Sequence, residues 1–381
     1  MSNPIRIGEV NTYSPSALSG FMATYKKGVE LAVAEVNAAG GVLGRPLEVL
    51  YRDDELSTAV AAQRAEELLV KDKVDLIAGT FTSDVGVSVA KVADRLKRVF
   101  VATEPRTDAL IWQGGSRYVF RIRTSQSMMV SMLASHAEKM REKRWAIVAP
   151  SYEGGKRIAA IFRDRLAAMR PDTVITGEHY FTLGKMNRQV VDEIAAGDPE
   201  VIFAVVYGSD LLPFVREGKA QGLFKGRQVV NPLAGDPEYL DTLGAETPDG
   251  WLVLGYPADE DSRPEHQAFA KAYRKAAGTA PDAAALTGYI GFKAIAAGIA
   301  RAGSVDTEAL IRGFRGLDFD SPIGKLRIRS GDHQATVGHW IGRLACQNGK
   351  GVLVDWKFLD GAGFLPPEAE AAALRPAAAR A

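Results

Sequence analysis

The chain has 381 residues, a formal net charge of +1, 46% apolar residues and 24% charged residues. That length is enough for two hydrophobic cores, and the near-zero charge argues against a nucleic acid or an anionic membrane as partner. The single cysteine, Cys346, excludes an internal disulfide, and no run approaches the roughly 18 apolar residues of a membrane span.

Met1-Ser2-Asn3-Pro4 leads almost directly into a strand over residues 5–10. No basic stretch followed by an apolar one precedes it, so the chain as given shows no signal peptide. It is either cytoplasmic or the product of leader removal. A loop over 11–20 precedes a helix over 22–38, with Val29, Val33 and Val36 on one face, and Gly40-Gly41 stops it. The second strand is 47–51, ended by Asp53-Asp54. A helix over 58–71 turns Ala62, Ala65, Leu68 and Leu69 inward.

Residues 74–108 then read as strand, polar turn, helix, strand, polar turn. The strands are 76–78 and 99–102, and Val85, Val89, Val92 and Leu96 mark the helix between them. This βαβαβα order with short connections predicts a parallel, doubly wound sheet. Its loops at 80–84 and 103–108 would lie side by side at the carboxyl edge, where open α/β sheets bind ligands.

The pattern restarts after a strand at 118–122. Helices at 128–140, 156–169, 190–196 and 211–221 alternate with strands at 145–149, 174–180, 201–206 and 228–231. Each series is close to an ordinary domain of roughly 100–150 residues. Beyond a strand at 251–255 the texture changes to consecutive helices at 266–277, 284–302 and 307–315, then β segments at 336–341 and 351–358. Helices without intervening strands add to an existing lobe rather than extend a sheet.

Enzymatic signatures are absent. His136, His179, His266, His333 and His339 include no H-x-x-x-H pair, and no G-x-S-x-G, P-loop or G-x-G-x-x-G occurs at the required place. His179 and His333 are expected at the surface. Asp53-Asp54 reads as a helix-capping loop rather than a metal site. No cofactor, no metal and no catalytic residue is expected.

Several segments carry a resemblance: I-R-I-G-E-V at Ile5, G-V-E-L-A-V-A-E-V-N-A-A-G-G-V-L-G-R-P-L at Gly28, Y-R-D-D at Tyr51 and L-I-A-G-T-F-T-S at Leu76. F-R-I-R-T at Phe120, P-D-G-W-L-V at Pro248 and D-F-D-S-P-I-G at Asp318 continue it. In this order, over residues 4–345, the chain resembles the type I periplasmic solute-binding proteins of the branched-chain amino-acid branch, which feed ABC transporters. The resemblance implies an α/β fold of two doubly wound parallel-sheet lobes joined by three crossover segments, with ligand held in the cleft by hinge closure. It places the crossovers near 121–125, 251–256 and 329–332. Residues 1–122 and 255–331 would form the first lobe, 123–254 and 332–360 the second, and 361–381 a peripheral tail. It also implies a non-enzymatic, monomeric, periplasmic protein whose partners are a small-molecule ligand and ABC permease subunits.

The resemblance assigns Ser83 to the ligand carboxylate, with Phe81 and Thr82 before it. Physics agrees, because Ser83 can cap the helix and leave N–H groups for an anion; a plain capping serine reads the same way. Leu56 and Thr82 stand where some members carry a disulfide. Glu104 and Arg106 replace smaller residues in the next loop. They pair with each other, line the cleft or face solvent, and Arg106 can grip a carboxylate with both arms. Tyr152 and Tyr207 match aromatics of the second lobe and Phe21 one of the first loop, though each could instead be core. Leu233 falls where amino-acid-binding members place an acid for the ligand ammonium, with Asp236 three residues on. With Leu233 there, the expected ligand is a small amphiphilic carboxylate, aromatic acids among them. With Asp236 there, or with Glu104 supplying the charge, a branched-chain or other hydrophobic amino acid returns. A cytoplasmic amide-type sensor on the same fold is the alternative of another class.

Overall fold

The computed structural model describes residues 3–16, 18–257 and 260–380; Met1 and Ser2, on which the leader question turns, lie outside them. The chain divides into two compact units. Met1–Ser125, Ala258–Val337 and Leu365–Ala381 form the first, and Gln126–Pro257 and Gly338–Phe364 the second.

In the first unit β1 (Ile5–Asn11), α1 (Ser19–Ala38), β2 (Leu47–Asp53), α2 (Thr58–Val70), β3 (Leu76–Gly79), α3 (Ser83–Leu96), β4 (Phe100–Ala102) and β5 (Val119–Arg121) follow one another. The sheet order is β2-β1-β3-β4-β5 and every pairing is parallel. β3 and β4 are buried along their whole length, which is why they read as continuous apolar runs. α3 buries Val85, Val89 and Val92, and Leu96 is partly buried against the same core. α2 buries Ala61, Ala65, Leu68 and Leu69, so Ala61 takes the place expected for Ala62.

The second unit begins with α4 (Gln126–Ala137), β6 (Arg144–Pro150), α5 (Glu153–Met169), β7 (Val174–Phe181) and α6 (Arg188–Ala196). It continues through β8 (Val201–Ala204), α7 (Leu211–Ala220), β9 (Gln228–Gly235), α8 (Pro237–Leu243) and β10 (Leu252–Gly255). The chain then rejoins the first unit as α9 (Pro264–Ala277), α10 (Ala283–Ala302), α11 (Thr307–Phe314) and the hairpin β11 (Asp318–Ser321) with β12 (Gly324–Arg327). That hairpin has too few residues to show alternation clearly in sequence; Phe319 and Leu326 are its buried pair. β13 (His339–Gln347) and β14 (Lys350–Leu359) complete the second sheet, in order β14-β13-β10-β9-β8-β6-β7. β7 to β10 are parallel with β6, whereas β13 runs antiparallel to β10 and β14 antiparallel to β13.

One helix departs from the expectation that no segment could span a membrane. α10 is long and apolar enough to do so, yet it is a core helix, mostly buried and packed on α1. Glycines set that packing. A Cβ on Gly28 would overlap the carbonyl of Ala285, and one on Gly288 would overlap the carbonyl of Tyr25. The two backbones therefore approach without intervening side chains, and this contact turns α1. Met22, Tyr25, Val29 and Ala32 face inward, while Val33 and Val36 are only half-buried.

The third boundary falls at residues 337/338, later than the 329–332 expected. Buried polar contacts hold the intervening residues to the first unit. Arg121 is fully buried, bonds Gln334 Oε1 at 2.5 Å and the Thr107 carbonyl, and lies 3.8 Å from Asp108. Burial lowers its pKa to about 10. His333, expected at the surface, is buried instead. It stacks on Phe120 at 4.2 Å, and its Nδ1 lies 3.0 Å from the Val119 carbonyl.

The C-terminal segment also differs from the peripheral tail expected. α12 (Glu368–Ala373) buries Ala371 in the first unit's core, and Glu368 accepts from Ser330 Oγ at 3.0 Å. Past it, Arg375 is buried and donates to the Ser116 carbonyl at 2.9 Å, before a last short helix, α13 (Ala377–Arg380). An alanine-rich stretch looks featureless in sequence because its anchors are two isolated charges.

The glycine contact yields a prediction. Gly28→Val overpacks the α1–α10 interface and should destabilise the protein by roughly 1–3 kcal/mol, seen as a lower calorimetric Tm. Gly20→Ala, where a Cβ meets nothing, should not lower Tm.

Candidate functional site

Every strand of the first sheet delivers its loop to one edge. β3 ends in Gly79 with φ +107 and Thr80 with φ +62, a left-handed pair that turns the chain abruptly. Gly79 has no alternative, since a Cβ there would lie 2.6 Å from Glu9 Oε1. The turn aims Thr80 inward. Its hydroxyl is fully buried and has no hydrogen-bond partner among the described residues.

Thr82, not Ser83, caps α3. Thr82 is extended (φ −76°, ψ 150°) and its carbonyl accepts from Gly86 N at 2.9 Å, while Ser83 is the first helical residue. The Thr82 hydroxyl makes no capping bond and is itself buried with no hydrogen-bond partner among the described residues. Sequence could not separate the two, because Thr and Ser both suit the cap. Phe81 stands edge-on to Phe21 of α1, with centroids 4.8 Å apart and planes at 73°. Phe21, expected in the first loop, lies in the first turn of α1; both residues are partly exposed, so the start of α1 and the β3 loop share an apolar wall.

The β4 loop lies against the same helix end. A Cβ on Gly86 would meet Pro105 Cγ at 2.6 Å, so Pro105 rests directly on the first turn of α3. Thr103 bonds Tyr25 Oη at 2.7 Å. Glu104 is 3% exposed and pairs with Arg123, Oε2 to Nε, at 3.3 Å. Arg123 lies just beyond β5, and nothing local in the sequence marks it as the partner of Glu104. Arg106 is half-buried, and its charge reaches Glu104 more weakly than that of Arg123. Burial raises the Glu104 pKa, with the two arginines opposing it.

Asp53 and Asp54 are not helix caps; Ser57 caps α2. They bind the β1 loop to the β2 loop. Asp53 Oδ1 accepts from Tyr13 N at 2.9 Å, and Asp54 Oδ1 accepts from Thr12 Oγ1 at 2.8 Å.

In the second unit Tyr152 occupies the N-cap position of α5 and is 45% exposed. Its hydroxyl lies 2.5 Å from that of Tyr207, which follows β8 and packs against the core. β9 runs further than expected, to Gly235, so Leu233 is a strand residue, partly exposed, rather than a loop residue. Asn231 braces this strand end. Its Nδ2 donates to the Val206 carbonyl at 2.8 Å and its Oδ1 accepts from Leu233 N at 2.8 Å. Asp236 is buried at the N-cap position of α8. Tyr152, Tyr207, Leu233 and Asp236 thus all belong to the carboxyl edge of the second sheet. Among the described residues no group of three or more His, Cys, Asp or Glu is placed to hold a metal ion.

A buried acid underlies the first unit's loops. Glu9 of β1 is fully buried, accepts from Asn11 Nδ2 at 3.1 Å and from Tyr13 Oη, and has its pKa raised to about 7. Desolvation is the main cause; the two hydrogen bonds oppose it and nearby Asp54 adds to it. Between its ordinary value of 4.5 and about 7 the folded protein keeps a proton that the unfolded chain has released. Stability therefore falls as pH rises through that window and stays reduced above it. Glu9→Gln keeps the shape and removes the charge. It should raise Tm at pH 8, by the equivalent of about 1–3 kcal/mol, with the gain shrinking toward pH 5. A pH-independent effect would contradict this account.

Residues 4–350 match the family described as periplasmic binding protein. A Leu/Ile/Val-binding protein homologue of Brucella melitensis is 25% identical over 303 residues, covering 77% of this chain and 78% of its own. A solute-binding protein of an ABC transporter from Rhodopseudomonas palustris, solved with 3,4-dihydroxybenzoic acid, superposes with a TM-score of 0.83 at 21% identity, covering 94% and 98%. The closed form of a leucine-, isoleucine-, valine-, threonine- and alanine-binding protein from Brucella ovis superposes with a TM-score of 0.85 at 17% identity, covering 96% and 97%. At such identities the superpositions establish the fold. The match along nearly the whole chain establishes the family, and the protein is a type I periplasmic binding protein of the branched-chain amino-acid ABC transporter branch.

Proposed function

We propose that this protein is the substrate-binding component of a branched-chain-type ABC importer, and that its ligand is a small amphiphilic carboxylate, aromatic acids among them. The observation that carries the reading is the α3 end of the first unit. Thr80 and Thr82 present buried hydroxyls that have no hydrogen-bond partner among the described residues, beside the opening turn of a helix whose N–H groups favour an anion. Phe21 and Phe81 offer an apolar wall beside it, and the Tyr152–Tyr207 pair supplies aromatic surface with hydroxyls from the second unit. Capture by closure of the two units, delivery to membrane permease subunits, a periplasmic setting and the absence of catalysis belong to the same reading. The relative solved with 3,4-dihydroxybenzoic acid is in keeping with it.

A branched-chain or other hydrophobic amino acid is the second reading, favoured by one observation. Asp236 is buried close beyond Leu233 and would give a ligand ammonium its carboxylate.

Thermal shift against both ligand classes separates the readings. A ligand at about 100 times its Kd should stabilise the native state by about 2.7 kcal/mol. A shift with leucine or valine and none with aromatic acids would replace the first reading by the second. Tyr207→Ala should weaken binding of the selected ligand at least roughly tenfold, measured by titration calorimetry, with an unchanged far-UV spectrum. Unaltered affinity would remove Tyr207 from the site.

A further inference from the structure

Glu9 is an acid placed directly under the α3 end of the first unit. It is fully buried near the end of β1, where the parallel neighbour β3 sets Ala78 opposite it. The next residue of β3, Gly79, passes so close that a Cβ there would lie 2.6 Å from Glu9 Oε1. Gly79 and Thr80 make the left-handed turn that leads toward α3. Thr80 N donates to the Val10 carbonyl at 2.7 Å, which pins this turn to β1. On its other side, Thr80 Oγ1 lies 3.1 Å from where a Cβ on Gly86 would stand, in the first turn of α3. A single turn of backbone therefore links the buried acid to the helix end that favours an anion.

Neutral groups hold the Glu9 carboxylate. Asn11 Nδ2 donates to Oε1 at 3.1 Å, Tyr13 Oη donates to Oε2, and Tyr25 of α1 adds a further hydrogen bond. From β2, Tyr51 stands edge-on to Tyr13, with ring centroids 5.7 Å apart. Lys26 of α1 lies over these rings, 4.5 Å from the Tyr51 centroid and 5.5 Å from that of Tyr13, and 4.0 Å from Glu30. Asp53 and Asp54 in the β2 loop and Asp84 in the first turn of α3 add negative charge. Glu104 in the β4 loop is opposed by Arg123 and Arg106. The charged neighbour that acts on Glu9 itself is Asp54, which disfavours ionisation further. An ionised Glu9 and an anion at the start of α3 would set two like charges across one buried turn, where water screens them poorly.

We propose that Glu9 couples ligand capture to a proton: the site takes an anionic ligand with Glu9 protonated, and capture at neutral pH draws that proton from solvent. This rests on the functional reading above and adds a regulator to the same site. Burial raises the Glu9 pKa to about 7, so both protonation states exist near neutral pH. An anion favours the neutral state, and by reciprocity the neutral state favours the anion. Affinity is therefore highest below that pKa and falls as pH rises through it.

The test is calorimetric titration of the full chain with benzoate, 4-hydroxybenzoate, leucine and valine at pH 6, 7 and 8, the pH 7 runs in two buffers of different ionisation enthalpy. Their carboxylates are ionised throughout this range, so a pH effect belongs to the protein. A probe that binds should do so at least roughly threefold more weakly at pH 8 than at pH 6, with proton uptake at pH 7. Glu9→Gln, neutral at every pH, should abolish the uptake and retain at pH 8 most of its affinity at pH 6. Tyr13→Phe removes a hydrogen bond that favours the charged form of Glu9, so its affinity should begin to fall at a higher pH than in wild type. The wild-type uptake is read without any variant, so a poorly folding variant leaves the test intact. Affinity independent of pH, proton release, or an uptake that survives Glu9→Gln would overturn the inference while leaving the binding reading standing. If no probe binds at any pH, the ligand class given above falls and the inference falls with it.

Discussion

A parallel sheet covered on both faces has one place for polar chemistry, the edge where its strands end. In the first unit β3 and β4 are buried along their length, and the residue after each is polar. Parallel pairing puts the ends of β1, β3, β4 and β5 side by side, so Asn11, Thr80, Thr103 and Arg123 become neighbours although distant in sequence. Left-handed backbone at Gly79 and Thr80 makes the turn at the middle strand sharp. The candidate site follows from this layout, since polar side chains gather where the parallel strands end.

That edge is dense in acids. Glu9, Asp54 and Glu104 are all buried, and burial raises the pKa of each. Each has a different remedy. Glu9 draws on Tyr13 and Asn11, Asp54 on Thr12 and a backbone N–H, and Glu104 on Arg123. Glu9 and Asp54 secure the first loop to the second. Glu104 is held instead by the charge of a buried guanidinium.

The second unit reaches a similar edge by other means. Asn231 ties the end of β9 to the end of β8, which stiffens the strand carrying Leu233. Tyr152 and Tyr207 meet through their hydroxyls, so the exposed aromatic surface is already ordered. Ordered aromatic side chains lose little entropy when they grip a ligand.

The sequence by itself determined the alternation of strand and helix, the restart after the strand at 118–122, and the loops at which polar residues gather, because apolar periodicity and strand-end polarity are local properties. It also carried the family, through motifs spread along most of the chain. Tertiary structure decided what depends on contacts far apart in sequence. Gly28 against Ala285 rotated α1 away from Val33 and Val36. Gln334 against Arg121 moved the third boundary, and Glu368 and Arg375 drew the C-terminal segment inward. It also gave Glu104 its partner. Pairing with Arg106, two residues on, is one of three readings the sequence leaves open, and the parallel neighbour β5 delivers Arg123 to the carboxylate. Pairing of charges at a sheet edge is set by strand order, and strand order is not a local property of the chain.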